Sequence, residues 1–424
     1  MLGEKMSERT GRGAMMLLRA GIGAVLLMIM LAPALSFADQ YHYNNVLIGE
    51  RASGMGGAYT AISDDATGLY YNPAGIVYSS GKNLSASVNA YYTMTKTYKG
   101  ALGGQDWVRD SKGLLPNFFG VIQPVGNMRF GFSYAVPDSL NEDQDLIIHN
   151  LPTPFTEYRI NFNNQDNTYN YGPSLAAEIN KDLSVGLTLY VHQRNVQMIT
   201  NQLILTNAGT YEWTNSYFEL NEWGYRPVLG FAWSPAEKLS LGLSLSRTYL
   251  LSSRASRQDT CSDTYGAFCN TALSVNTAGD NTKREYPTRV AVGAAYYPSA
   301  SLIFSGDITY NTAVNDKIYG DKEPTMNISL GTEYYYTKSW ALRGGLFTNM
   351  ANTPDITKGV TNIEEHIDIY GGTASISHFT RNSSVTLGGS ISTGSGQAQI
   401  RGQDSLQDAT AFGWTLFLSS AYSY

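Results

Sequence analysis

The sequence predicts an all-β protein: an antiparallel transmembrane β-barrel of about 14 strands with a small N-terminal plug, or hatch, inside its lumen. Three observations predict it. Charged residues make up only 15% of the 424 positions, while aromatics reach 12%, including 30 tyrosines. Soluble chains carry about 25% charge, so this balance suits a surface that faces lipid. From Lys82 to the C-terminus, apolar and small polar residues alternate with period two. The connectors between the alternating runs are short and long by turns.

The N-terminal residues read as an export signal. Lys5, Arg9, Arg12 and Arg19 give the basic region, Gly21–Leu35 the apolar core, and Ser36-Phe37-Ala38 the small-residue cleavage site. The apolar run is shorter than the roughly 20 residues that cross a bilayer as a helix. Residues 1–38 are therefore expected to be removed, which takes the formal charge from −6 to about −8. Such a balance excludes an extended nucleic-acid interface, because phosphate contacts need clustered Lys and Arg. Together with the strand and loop pattern and the last strand described below, export makes the bacterial outer membrane the expected location, with membrane lipid and the assembly machinery as partners.

Residues 39–81 show no periodicity of either kind and are expected to form the hatch. Within Gly49–Ser80, glycines at 49, 54, 56, 57, 68 and 75 permit irregular backbone. Irregular backbone is tolerated at membrane depth only inside protein or against a wet cavity. A barrel of about 14 strands is too wide for its own side chains to fill, so a filler is expected.

Residues 82–424 are expected to form the barrel. In Leu183–Val191 the odd positions are Leu183, Val185, Leu187, Leu189 and Val191, and the even ones Ser184, Gly186, Thr188 and Tyr190. Leu239–Ser246 repeats the pattern, so an apolar face meets lipid and a small polar face lines a hydrated lumen. Six tight connectors, such as 180–182 and 337–339, alternate with longer polar segments near 96–113, 137–167, 200–222, 253–284, 312–323, 351–364 and 401–409. These are expected to be periplasmic turns and extracellular loops. In the last strand, Phe412, Trp414, Leu416, Leu418, Tyr422 and Tyr424 share one parity, resembling the signal read by the outer-membrane assembly machinery. Tyr and Trp near strand ends, among them Trp223, Tyr249, Tyr296, Tyr334 and Trp340, are expected to form the interfacial girdles.

Little in the sequence points to bond-making chemistry. The five histidines are scattered, so no catalytic set, metal site or cofactor is expected. Gly54-Met55-Gly56-Gly57 is no phosphate loop, since Tyr59 breaks the spacing and no βαβ unit surrounds it. Cys261 and Cys269 lie close together in a polar segment, and an oxidising periplasm makes a disulfide between them the expected state. The run Asn141–Asp145 is acidic, and solvated surface explains it better than weak Ca²⁺ binding.

Three segments carry a family resemblance: Gly54-Met55-Gly56-Gly57-Ala58, Ile62-Ser63-Asp64-Asp65-Ala66 and Asn72-Pro73-Ala74, in that order. They resemble the hatch of the FadL/TodX family of outer-membrane transporters for hydrophobic compounds, and Gly331–Phe347 is similar to the family's late strand pair. The resemblance implies a fourteen-stranded monomer that passively takes up long-chain fatty acids or aromatic hydrocarbons, not an enzyme. It also implies that the hatch segment Asn72-Pro73-Ala74 packs as a gate against a kinked third strand whose defect opens the wall sideways. Asp64, Asp65, Gly56 and Gly57 would shape the hatch. The third strand is expected at Met128–Val136, with Gly131 as a possible bulge and Pro137 as its end. No residues match the family's basic contacts to a ligand carboxylate, and no role follows for Arg343. A related barrel that serves secretion or surface assembly without transport would share much of the same hatch.

Overall fold

The computed structural model describes residues 41–423, apart from 44, 80, 103, 150, 152, 265–272, 279–282, 317–319, 362 and 401. The expected signal segment 1–38 and Cys269 lie outside the described residues. Strand follows strand from Asn83 to Ser423: β1 Asn83–Leu102, β2 Gln105–Val125, β3 Met128–His149, β4 Phe155–Glu178, β5 Leu183–Thr206 and β6 Tyr211–Ala236. Next come β7 in two pieces, Leu239–Ser246 and Tyr249–Asp263, and β8 in two pieces, Leu273–Ala278 and Arg289–Ser299. The series ends with β9 Leu302–Asn311, β10 Thr325–Thr337, β11 Trp340–Asn349, β12 Glu365–Phe379, β13 Ser383–Ala398 and β14 Gln407–Ser423.

Both pieces of β7 pair with β6, through Val228↔Ser246 and Tyr225↔Tyr249. Their break, at Arg247-Thr248, lies opposite Pro227, which has no N–H to offer a ladder. Both pieces of β8 pair with β7, so the wall has fourteen strands, as the loop rhythm predicts. Pairing of β1 with β14, from Asn83↔Ser423 to Tyr98↔Ala409, closes the sheet and leaves no edge.

The alternation read from sequence maps onto the two faces. On β5, Leu187 and Leu189 are exposed, whereas Ser184, Thr188 and Tyr190 are buried toward the lumen. On β14, Phe412, Trp414, Leu416 and Leu418 face outward and Phe417 and Ser419 inward. The expected loops are a different matter. Segments near 96–113, 137–167, 200–222 and 253–284 are largely strand, and β2 to β6 run for 21, 22, 24, 24 and 26 residues. A bilayer takes about 9–11 residues of a tilted strand, so half of each rises beyond the lipid as a continuation of the wall. There the outward face is largely polar and the lumenal face mixes charged residues with apolar ones such as Phe162 and Phe218, which hides the period-two signal.

The hatch lies inside the wall. It comprises α1 (Glu50–Gly54), α2 (Gly68–Tyr71) and a 3-10 turn at Pro73–Tyr78. Ile48, Met55, Tyr59, Leu69 and Ile76 form one buried cluster with Phe118, Ile122 and Ile303 of the wall. Where the hatch comes closest, the wall presents small residues. A Cβ on Gly186 would stand 2.4 Å from Pro73 C, and one on Gly230 2.2 Å from Asn72 Oδ1.

Candidate functional site

Asn72-Pro73-Ala74 anchors the hatch to the wall. Asn72 is fully buried and uses its whole amide: Nδ2 donates to Thr60 O at 2.8 Å and to Phe231 O at 2.9 Å, and Oδ1 accepts from Ala74 N at 3.1 Å. The last bond caps the 3-10 turn, where proline at its first position is pre-set for helical φ. Ser184 Oγ donates to Ala74 O at 2.9 Å. The segment is therefore hydrogen-bonded to β5 and β6, and Leu69 of α2 is a hatch side chain packed closely against the third strand. A Cβ on Gly131 would fall 2.4 Å from Leu69 Cδ2. Gly131 pairs regularly with Ile122 and Ser174, so it marks a close approach and not a bulge.

The other hatch residues are held by charge. Arg51 pairs with Asp64 at 2.5 Å and with Glu333 of β10 at 2.5 Å, and Glu333 also accepts from Arg343 Nε of β11 at 2.7 Å. Asp307 of β9 accepts from Tyr59 N at 2.9 Å and Thr60 N at 2.8 Å, and Glu50 accepts from Ser384 Oγ and Thr386 Oγ1 of β13. Asp65 Oδ1 accepts from Thr67 N at 2.8 Å and holds the turn into α2. Burial raises the Asp65 carboxyl above the usual carboxylate range, and the nearby Arg51 opposes that rise. Gly56 and Gly57 have φ of 65° and 82°, the left-handed region that favours glycine, in the turn leaving α1. Glu333 lies in the stretch similar to the family's late strand pair but had no role read for it, Asp307 carried no motif, and only the wall-to-hatch register brings them to the hatch.

The wall has a breach beside the hatch. β2 and β3 are paired at Ser111↔Glu142 and again from Phe118↔Ala135 to Val125↔Met128, with no backbone pairing between. Asn141 bridges the upper end by donating to Ser111 Oγ and Lys112 O at 3.0 and 3.2 Å. Pro116 and Pro137 face each other across the remaining gap, and neither has an N–H to close it. On its other side β3 slips register against β4 between Ala135 and Asp138. Pro137 thus does not end the third strand, which continues to His149; it disrupts pairing in the middle.

A hatch segment that sequence reading did not single out lines this gap. Val46 N donates to Pro137 O at 3.2 Å, Asn45 Nδ2 to Asp138 Oδ1 at 3.0 Å, and Asn117 Nδ2 to Leu47 O at 2.9 Å. Asn45-Val46-Leu47 therefore straps the broken stretch from the lumen side. Between strap and opposite wall lies a cavity of about 110 Å³, bordered by the strap, by Leu115 and Leu140 at the gap, by apolar Met94 and Phe417, and by polar groups that include Ser111, Asn349 and Ser392. Lys96, also on its border, is paired with Glu365 at 2.5 Å.

The acidic run and the cysteine are placed as follows. Glu142 turns inward to Arg109 at 2.7 Å, while Asp145 turns outward to accept from Asn161 at 2.6 Å, so the run divides between two faces of β3. Among the described residues no group of three or more His, Cys, Asp or Glu has metal-binding spacing. Cys261, on the upper piece of β7, is disulfide-bonded.

A family model described as outer membrane protein transport protein (OMPP1/FadL/TodX) matches residues 44–361. No curated protein matches the chain. Among solved structures, a Pseudomonas aeruginosa FadL homologue is 14% identical with a TM-score of 0.62, over 90% of this chain and 99% of that one. The P. putida toluene transporter TodX is 12% identical with a TM-score of 0.60, over 90% and 99%. The Ralstonia pickettii toluene transporter TbuX is 13% identical with a TM-score of 0.61, over the same shares of 90% and 99%. At these identities the likeness establishes a shared fold.

Proposed function

Because this chain belongs to the OMPP1/FadL/TodX family of outer membrane transport proteins, we propose that it takes up hydrophobic small molecules passively across the bacterial outer membrane. Ligand collects in the cavity above the strap and leaves sideways through the β2–β3 gap into the bilayer. The observation that carries this reading is the unpaired stretch of wall between Ser111↔Glu142 and Phe118↔Ala135. In lipid, backbone groups without partners are costly, so a gap kept open by two prolines beside a cavity of mixed polar and apolar lining is better read as an exit than as a flaw.

Burial of apolar surface drives the movement, and no energy source or cofactor is required. The cavity of about 110 Å³ is of the order of the roughly 150 Å³ that accommodates benzene in an engineered protein core. A single aromatic ring fits such a space more readily than a long alkyl chain, which needs the strap to move. The solved neighbours named as toluene transporters are in keeping with that. Asn72-Pro73-Ala74 acts as the fixed point of the hatch on β5 and β6, and the strap is the part that yields. The chain works as a monomer, since the gap, the cavity and the hatch all belong to one barrel.

The test restores the missing donors. In the double variant Pro116→Val/Pro137→Val both strands regain their N–H groups and the gap can zip. Uptake of radiolabelled toluene by a host lacking related barrels should fall roughly tenfold, as one lost path would require, while the barrel still shifts on gels when heated. Undiminished uptake by a folded double variant would remove lateral exit from the mechanism.

A further inference from the structure

Above the lipid-facing belt, β4, β5 and β6 carry an outward face that neither transport nor the barrel's own stability explains. On β5 the belt ends at Val191, and the next outward positions are Gln193, Asn195 and Gln197. Register aligns these with like residues on both neighbours. Asn167, Asn195 and Asn221 form one rung across the three strands, and Gln165, Gln197 and Glu219 the next. A third amide rung, Asn161, Asn201 and Asn215, lies beyond an intervening rung of Asn163, Ile199 and Tyr217 and is linked along its length by side-chain hydrogen bonds. Gln165 and Gln197 are exposed.

This face is neither apolar, as lipid tails would require, nor rich in charge, as a merely solvated face tends to be. An amide both donates and accepts. The two adjoining rungs, with strands about 4.8 Å apart and rungs about 7 Å apart, present that dual chemistry as a compact patch. Its lower border is continuous with the membrane interface. Tyr134 and Tyr169 stack at 6.2 Å and Tyr225 and Tyr249 at 5.3 Å just below it, and Trp223 is exposed beside them. Aromatic residues of this kind mark headgroup level, so the amide rungs stand at the height of the outer leaflet's polar heads. Glu219 within the array and Asp143 and Asp145 beside it disfavour a bare phosphate and favour neutral, hydroxyl-rich groups.

From this we infer that the outward face of β4–β6 docks the oligosaccharide head of an outer-leaflet glycolipid. The inference rests on the outer-membrane reading of the barrel. Sugar hydroxyls take the free edges of the Asn and Gln amides, and sugar rings lie against the exposed girdle aromatics. Such a ligand fixes the barrel's height in the membrane and covers a face whose amide ladders would otherwise invite stacking between copies.

The experiment uses the full barrel in detergent micelles, folded as judged by heat-modifiable gel mobility. Its binding to lipopolysaccharide carrying a complete core oligosaccharide is compared with its binding to lipid A, which lacks one. The wild type should bind the core-bearing form roughly tenfold more tightly. Asn167→Ala/Asn195→Ala/Asn221→Ala should lose that preference, and Asn195→Gln, which keeps an amide, should retain it. Equal affinity for both lipids, or an unchanged preference in the folded triple variant, would overturn the inference. So would efficient cross-linking of two copies through Gln197→Cys, which would assign the face to self-association. A chain that forms no heat-modifiable barrel would overturn the barrel reading itself, and this inference with it.

Discussion

Asn72 shows how much one residue can carry when the backbone around it is irregular. Its amide joins three segments at once: the 3-10 turn through Ala74 N, the hatch interior through Thr60 O, and the wall through Phe231 O. Asn72→Ala removes the cap, at about 1 kcal/mol, and two donor interactions at about 1 kcal/mol each. The expected loss is local, about 2–3 kcal/mol, because strand pairing of β5 and β6 continues past the site. Amide hydrogen exchange should then quicken roughly 50-fold over Gly75–Ser79, the turn and its cap, and stay unchanged in the neighbouring wall strands. Asn72→Asp keeps the capping oxygen but sets a second acceptor against the carbonyls of Thr60 and Phe231, so exchange should quicken at least as much as in the alanine variant. No change in exchange in the alanine variant would show that the turn is held by something other than this side chain.

At the scale of elements, the strap and the gap are one device. Val46 donates the backbone bond that ties the hatch to Pro137, and a proline at that position cannot donate. In Val46→Pro the strap should loosen by about 1–1.5 kcal/mol, the worth of one such bond. A cysteine placed at Leu115, on the gap side of the cavity, should then react roughly tenfold faster with a maleimide than in the parent. Equal rates would mean that the strap does not guard the gap. This device was illegible in the sequence, although its parts were in view. Pro137 signalled a disrupted strand, but which residues go unpaired depends on where β2 meets β3, and that register has no local signature. Likewise Asn163 to Asn167 looked like loop, because inward Asn164 and Asp166 are as polar as outward Gln165 and Asn167. The strands that cross lipid were plain for the opposite reason, since one face must be apolar there, as in Leu239–Ser246. The hatch motifs were legible because tight irregular backbone demands particular residues. Asn72, Gly56 and Gly57 are such residues, whereas the carboxylates of Glu333 and Asp307 needed only to be somewhere on the wall.

For the molecule as a whole, the lumen holds two barriers in series. The lower one is the hatch. The upper one is built in the strand extensions, where Arg109 lies between Glu142 at 2.7 Å and Glu364 at 3.0 Å, and over the rings of Trp107 and Phe162. Arg194 with Asp166 and Arg284 with Glu222 pair in the same part of the barrel. Trp107 packs with residues of β1, β12, β13 and β14, Phe162 packs with residues of β5 and β6, and Leu146 touches both clusters, so this layer reaches across the lumen. Removing residues 41–80 therefore tests the lower barrier alone. The wall it uncovers carries Ser184, Gly186, Thr188, Gly230, Ser240 and Gly242, small groups that water can solvate at little cost, with only a few apolar side chains such as Phe118 and Ile303 newly wet. The deleted chain should fold to a heat-modifiable barrel, because the strand ladder closes between β1 and β14 without the hatch. In planar bilayers its conductance should rise, yet stay roughly tenfold below that of an unfilled barrel of this strand number, because the upper layer remains. Trp107→Ala added to the deletion should raise it again by opening that layer. If the deletion left conductance at the parental level, the upper layer would be the only barrier to small solutes. The hatch would then serve to direct ligand toward the β2–β3 gap and not to stop leakage.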